Sequence, residues 1–226
     1  MIVFDKIKPC ESMAVIFDLD GVLTDTAEYH YRAWRRLAEE EGLPFSREDN
    51  EKLRGVSRRA SLELILKGSS RSEEEMLEMM DRKNSYYRSF IKTMDSEDLL
   101  PGAFEIVKQL RRLEVKLALA SASKNARDVV ERLNLKDYFE IIADGNSVEK
   151  AKPAPDLFLF VADKLKVAPR CAVVVEDAEA GIEAALAAKM AAVGIGPHER
   201  VGKADLFYKS VSEINVSDLL SLLPKG

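Results

Sequence analysis

Five short apolar runs recur along this chain, each too short for a helix and most of them stopped by acidic or hydroxyl residues: MAVIF (13–17), KLALA (116–120), EIIA (140–143), CAVVV (171–175) and MAAVGI (190–195). A continuous apolar run of this length fits a strand buried on both faces, as in a parallel sheet. Between most of the runs lie apolar residues at helical spacing. Phe104, Val107 and Leu110 form one stripe, Ala126, Val129, Val130 and Leu133 a second, Leu157, Phe160 and Val161 a third, and Ile182, Ala185 and Leu186 a fourth. Strands alternating with amphipathic helices predict an α/β fold, a Rossmann-like doubly wound parallel sheet covered on both faces.

Residues 26–93 break the alternation, because they carry helical patterns and no strand-like run. The expectation is a catalytic core built from residues 1–25 and 94–226 with an inserted all-helical cap over 26–93. The first cap helix has Asp25 as its expected N-cap, with Glu28 three residues on, and places Ala27, His30, Trp34, Leu37 and Ala38 on one face. A second follows GVSR. A longer one carries Met76, Met79, Met80, Tyr86, Tyr87, Phe90 and Ile91, a stripe interrupted by Lys83. An unpaired charge there is costly, so Lys83 needs an anionic or polar partner unless it snorkels from the edge of the stripe. His30, read alone, is more often a packed core histidine than a ligand, and its neighbourhood reverses that order.

With 226 residues, a net charge of -5, 46% apolar and 32% charged residues, the composition excludes a disordered chain and disfavours a nucleic-acid partner, for which the sign is wrong. No long apolar run is present, and the start MIVFDKIKPCES lacks the apolar core of a leader peptide. A soluble cytoplasmic protein without membrane attachment is expected. Cys10 and Cys171 offer neither a zinc-ligand spacing nor a disulfide framework, and His30 and His198 lie far apart. The chemistry therefore falls to oxygen and lysine groups.

In an open parallel sheet, ligands bind beyond the carboxyl ends of the strands. After the first run stand Asp18 and Asp20. After the second come Ser121, Ala122, Ser123, Lys124 and Asn125, after the third Asp144 and later Lys152, and after the fourth Glu176 and Asp177. Carboxylates gathered at one rim repel, at roughly 4 kcal/mol for a pair about 4 Å apart at an effective dielectric of 20. All-oxygen donors without His or Cys point to a hard cation, Mg²⁺, sharing its shell with a phosphate. Hydroxyls, helix-start N–H groups and Lys152 suit a phosphoryl group.

DLDGVLTDT, ASAS, AKPAPD and VVVEDAEAGIEAA resemble, in order and across nearly the whole chain, the four motifs of the haloacid dehalogenase superfamily. The resemblance implies Asp18 as a nucleophile that becomes an aspartyl phosphate and Asp20 as general acid and base. It also implies Mg²⁺ on Asp18, the Asp20 backbone carbonyl, Glu176 and Asp177. TDTAEYHYRAW, GVSRRASLELIL and DRKNSYY are similar to the cap of that superfamily's phosphosugar mutases, which interconvert β-glucose 1-phosphate and glucose 6-phosphate through glucose 1,6-bisphosphate. By that resemblance His30 and Lys83 touch Asp20 or the sugar. Arg58 with Gly55, Val56 and Ser57 grips the distal phosphate, while Ser121, Ala122, Ser123, Lys124 and Asn125 with Lys152 hold the transferring one. One local departure is Ala178, where a Ser is common. The expected partner is a small sugar phosphate and the expected state a monomer; a sugar-phosphate phosphatase using the same Asp is the alternative.

Overall fold

The computed structural model describes residues 10–224; residues 1–9 and 225–226, assigned above to the core, lie outside them. Six strands, β1 (Ala14–Phe17), β2 (Lys116–Ala120), β3 (Ile141–Ala143), β4 (Ala172–Glu176), β5 (Ala191–Ile195) and β6 (Leu206–Tyr208), form one sheet in the order β3-β2-β1-β4-β5-β6. Every pairing is parallel, with Ala14 in register with Lys116 on one side and Ala172 on the other. The order reverses between β1 and β4, and that switch point is where a crevice opens at the carboxyl end of such a sheet.

The stretch between β1 and β2 folds into α1 (Ala27–Glu40), α2 (Arg47–Glu51), α3 (Arg58–Leu66) and α4 (Glu73–Ile91). Trp34, Leu37, Leu62, Ile65, Leu66, Met76 and Met79 make a hydrophobic cluster of their own there, so the insert is a helical cap with a separate core. Ser72 caps α4 reciprocally with Glu75, satisfying two backbone donors at the helix start. The core helices are α5 (Ala103–Arg112), just before β2, and after it α6 (Ala126–Arg132), α7 (Asp156–Leu165), α8 (Glu179–Ala187), α9 (His198–Val201) and α10 (Val216–Ser221). Val15, Phe17, Leu117, Leu119, Val173 and Val175 face α5, α6 and α10. Ala14, Ile16, Ala118, Ala120, Ala172 and Val174 face α7 and α8. This period-2 division explains why the runs are apolar throughout: both faces are covered.

Three expectations need correction. β6 was not anticipated, because Leu206–Tyr208 is a short edge strand whose Phe207 is 50% exposed and so makes no apolar run. The N-cap of α1 is Thr26 rather than Asp25, whose carboxylate instead accepts from Ala27 N–H at 3.0 Å. The cysteines, read as unsuited to pairing, form the disulfide Cys10–Cys171 with Cα atoms 5.7 Å apart. A sequence separation of 161 hides what the sheet register reveals, since Cys10 lies just before β1 and Cys171 immediately before its neighbour β4.

Candidate active site

β1 ends at the switch point, and Asp18 N–H prolongs its pairing by donating to Val175 O at 2.9 Å. The Asp18 side chain is thereby fixed at the mouth of the crevice. Lys152 Nζ, 3% exposed as a residue, donates to Asp18 Oδ1 at 2.6 Å, Glu176 Oε2 at 2.8 Å and Ala120 O at 3.0 Å, which uses all three ammonium protons. Asp20 N–H donates back to Asp18 Oδ2 at 2.9 Å. The chain then turns at Gly21, with φ +81°, and a Cβ there would fall 2.3 Å from Asp177 Oδ2. Glycine is therefore required both for the turn and for the close approach of Asp177.

Asp18, Glu176 and Asp177 are buried and each offers an oxygen within 4.8 Å of the others. Burial and then the Asp18 charge push Glu176 up to about 8 and Asp177 up to about 7, while Asp18 and Glu176 hold Lys152 above its ordinary value despite the burial that opposes it. Ionising all of these carboxyls together is therefore costly without a further positive charge. An all-oxygen, buried, mutually repelling set of this kind fits a hard divalent cation such as Mg²⁺. Asp144 does not join the rim group. Its carboxylate accepts from Asn146 N–H and Arg127 Nε, and its own N–H donates to Ser147 Oγ, which orders the loop after β3.

Asp20 lies one turn outward. Thr26 Oγ1 donates to Asp20 Oδ1, and burial followed by the Asp18 charge raises the Asp20 carboxyl to about 8. Both effects favour its protonated form.

The cap roofs this group. His30, Arg54, Gly55, Val56, Arg58 and Lys83 line one wall of the cleft, and Asp18, Asp20, Ser121, Ala122, Ser123 and Lys124 the other. Lys83 has the partner its place in the stripe demands: its Nζ is 2.8 Å from His30 Nδ1 and 4.7 Å from the centre of the Trp34 ring. Arg58 Nη2 and Asn125 Nδ2 both donate to Asn84 Oδ1 at 2.9 Å, bridging cap and core. Asn125 thus shares an acceptor with Arg58. Ser57 is occupied as the N-cap of α3, its Oγ accepting from Ala60 N–H at 3.2 Å. Ser121 Oγ accepts from Ser123 N–H at 3.1 Å.

Four residues at the site went unread in the sequence. Thr26 closes the DLDGVLTDT run and could have been found there. Asn84 adjoins Lys83, and Arg54 adjoins GVSR. Arg200, in PHERVGK, carried no pattern at all.

A three-carboxylate rim with a buried lysine at the β1/β4 switch point, under a helical insert, defines a class of capped α/β fold. The haloacid dehalogenase-like hydrolase family matches residues 13–189, and the chain belongs to that family. It is 44% identical over 207 residues to a β-phosphoglucomutase of Bacillus subtilis, covering 90% of this chain and 92% of the relative. It is 33% identical to a phosphorylated carbohydrates phosphatase of Thermotoga maritima, over 93% of this chain and 97% of that one. The crystal structure of a β-phosphoglucomutase from Clostridium difficile superposes with a TM-score of 0.90 at 41% identity, covering 93% and 96% of the two chains.

Proposed function

We propose that this protein is a Mg²⁺-dependent phosphosugar mutase that interconverts β-D-glucose 1-phosphate and β-D-glucose 6-phosphate through an aspartyl phosphate and glucose 1,6-bisphosphate. The observation that carries the reading is the pairing of Asp18, held by Lys152, with Asp20 beneath a cap that brings His30, Lys83 and Arg58 over it. When bound, Mg²⁺ would be held by Asp18, the Asp20 backbone carbonyl, Glu176 and Asp177, and would supply positive charge beside the transferring phosphoryl oxygens.

In the first half-reaction a carboxylate oxygen of Asp18 forms a bond to a phosphorus of glucose 1,6-bisphosphate as that phosphorus loses its bond to the sugar oxygen, releasing glucose 6-phosphate. The Asp20 proton passes to that leaving oxygen, and Lys152 offsets the charge gathered on the equatorial oxygens. In the second, the free hydroxyl of an incoming β-glucose 1-phosphate gives its proton to Asp20 and takes the phosphoryl group, which regenerates the bisphosphate. Asp20 therefore ends as it began. Water must be kept from the aspartyl phosphate between the steps, and closure of the cap, residues 26–93, serves that need. Arg58 on the non-transferring phosphate favours the closed position. The working unit is read as a cytoplasmic monomer.

Similarity to the Thermotoga maritima phosphatase supports a second reading, in which water resolves the same intermediate. Product identity separates the two. Incubation with β-glucose 1-phosphate, Mg²⁺ and a trace of the bisphosphate yields glucose 6-phosphate under the first reading; predominant release of inorganic phosphate overturns it in favour of the second.

A further inference from the structure

Asp177 is gripped from behind by a residue outside the four motifs. Arg200, on the one-turn α9 after β5, donates from Nε to the Asp177 backbone carbonyl at 2.6 Å, and its Nη2 lies 3.6 Å from Asp177 Oδ2. One planar guanidinium thus reads both the main chain and the carboxylate of the same residue, which fixes the peptide and limits rotation of the side chain. The backbone is cleared to admit it: Gly196 has φ +123°, and a Cβ there would lie 2.4 Å from Arg200 Nη2.

A second guanidinium meets the same carboxylate from the cap. Arg54 Nη1 is 3.1 Å from Asp177 Oδ2, and its Nε is 2.7 Å from Glu51 Oε2 on α2. Arg200 Nη1 reaches that Glu51 oxygen at 3.8 Å. The two arginines differ in origin. Arg54 belongs to the cap, whereas Arg200 belongs to the core, as Asp177 does.

We propose that Arg200 is a positioning residue for Asp177, pre-orienting its carboxylate toward Asp18 and Glu176 so that the rim binds a divalent cation before any substrate is present. The inference rests on the metal-site reading above and goes further, in naming what holds the site in shape. Charge and geometry predict opposite signs. If Arg200 acted only as a nearby positive charge, its removal would tighten cation binding; as an orienting group, its removal weakens it.

The test is Mn²⁺ binding to the full chain without substrate, followed by loss of the free-ion electron paramagnetic resonance signal, with thermal unfolding of the metal-free chain measured alongside. Arg200→Ala is expected to weaken Mn²⁺ binding about tenfold, as loss of a group supporting a metal ligand does. Arg200→Lys, which keeps the charge but not the fork, recovers at most a third of that loss on a logarithmic scale. Unchanged or tighter binding in Arg200→Ala overturns the proposal, as does full recovery in Arg200→Lys. A variant that loses thermal stability while binding Mn²⁺ like the wild type marks Arg200 as structural only and overturns it too. A wild-type chain that binds no Mn²⁺ removes the metal-site reading and this inference with it.

Discussion

Lys83 Nζ lies 2.8 Å from His30 Nδ1, a contact between two groups that would repel if both were charged. Enclosure by the surrounding protein, then Lys83 and Arg58, hold His30 well below its ordinary value of 6.5. Burial, then Arg58, likewise lowers Lys83, with Asp20 acting in the opposite sense. The arrangement that satisfies both is a neutral imidazole accepting at Nδ1 from the amine, which leaves the Nε2–H free as a donor.

That arrangement fixes a pH dependence. Between the folded His30 pKa and 6.5 the unfolded chain binds a proton that the folded chain refuses, so this contribution to stability is complete above 6.5 and is lost as pH falls below it. The slope is at most about 1.4 kcal/mol per pH unit. The chain has two histidines, so His30→Gln assigns the imidazole signals by difference in an NMR titration. The His30 signal is expected to show no midpoint near 6.5; a midpoint at or above that value contradicts the neutral assignment.

Asp18→Ala is expected to abolish both phosphoenzyme formation and turnover, and undiminished turnover would remove the nucleophile. Asp20→Asn keeps the backbone carbonyl and so keeps metal binding, but loses on the order of 10²- to 10⁴-fold in turnover rate. A loss smaller than tenfold would be too little for a general acid and base.

Lys152 is the buried counter-charge of Asp18 and Glu176. Lys152→Ala leaves two carboxylates without it and is expected to lower the unfolding free energy by about 3 kcal/mol, since breaking a buried pair from one side strands the partner. Urea denaturation with and without Mg²⁺ checks this: the deficit should shrink when the cation is added. Equal deficits under both conditions would separate the lysine from the metal site.

Reduction of Cys10–Cys171 should leave turnover unchanged, because the bridge joins the starts of β1 and β4 and the rim stands at their other ends. Stability should fall by about 2–4 kcal/mol, as closure of a long loop is lost. Thiol titration of the denatured chain should find none free before reduction and two after; free thiols beforehand would exclude the bridge.

The parallel sheet was legible because its strands are buried on both faces and so carry unbroken apolar runs, as Ala14–Phe17 and Ala172–Glu176 show. Asp18, Asp20, Glu176 and Asp177 were legible for a topological reason, since they follow strand ends. The disulfide was not, because pairing depends on which strands become neighbours. Nor were Asn84 and Arg200, whose partners come from packing rather than spacing: a guanidinium on α9 meets Asp177 only once β5 lies beside β4. Lys83 falls between these cases. Its position announced a partner, and the fold supplied His30.

Asn84 spends one oxygen on two donors, Arg58 from the cap and Asn125 from the core. Its amide oxygen meets both donors at once, and on the reading proposed above a phosphate reaching Arg58 would displace it. A lone inorganic phosphate would gain little from that exchange, whereas a sugar phosphate would bring a second end to anchor at Asp18, so the contact would filter ligands by how many ends they bring.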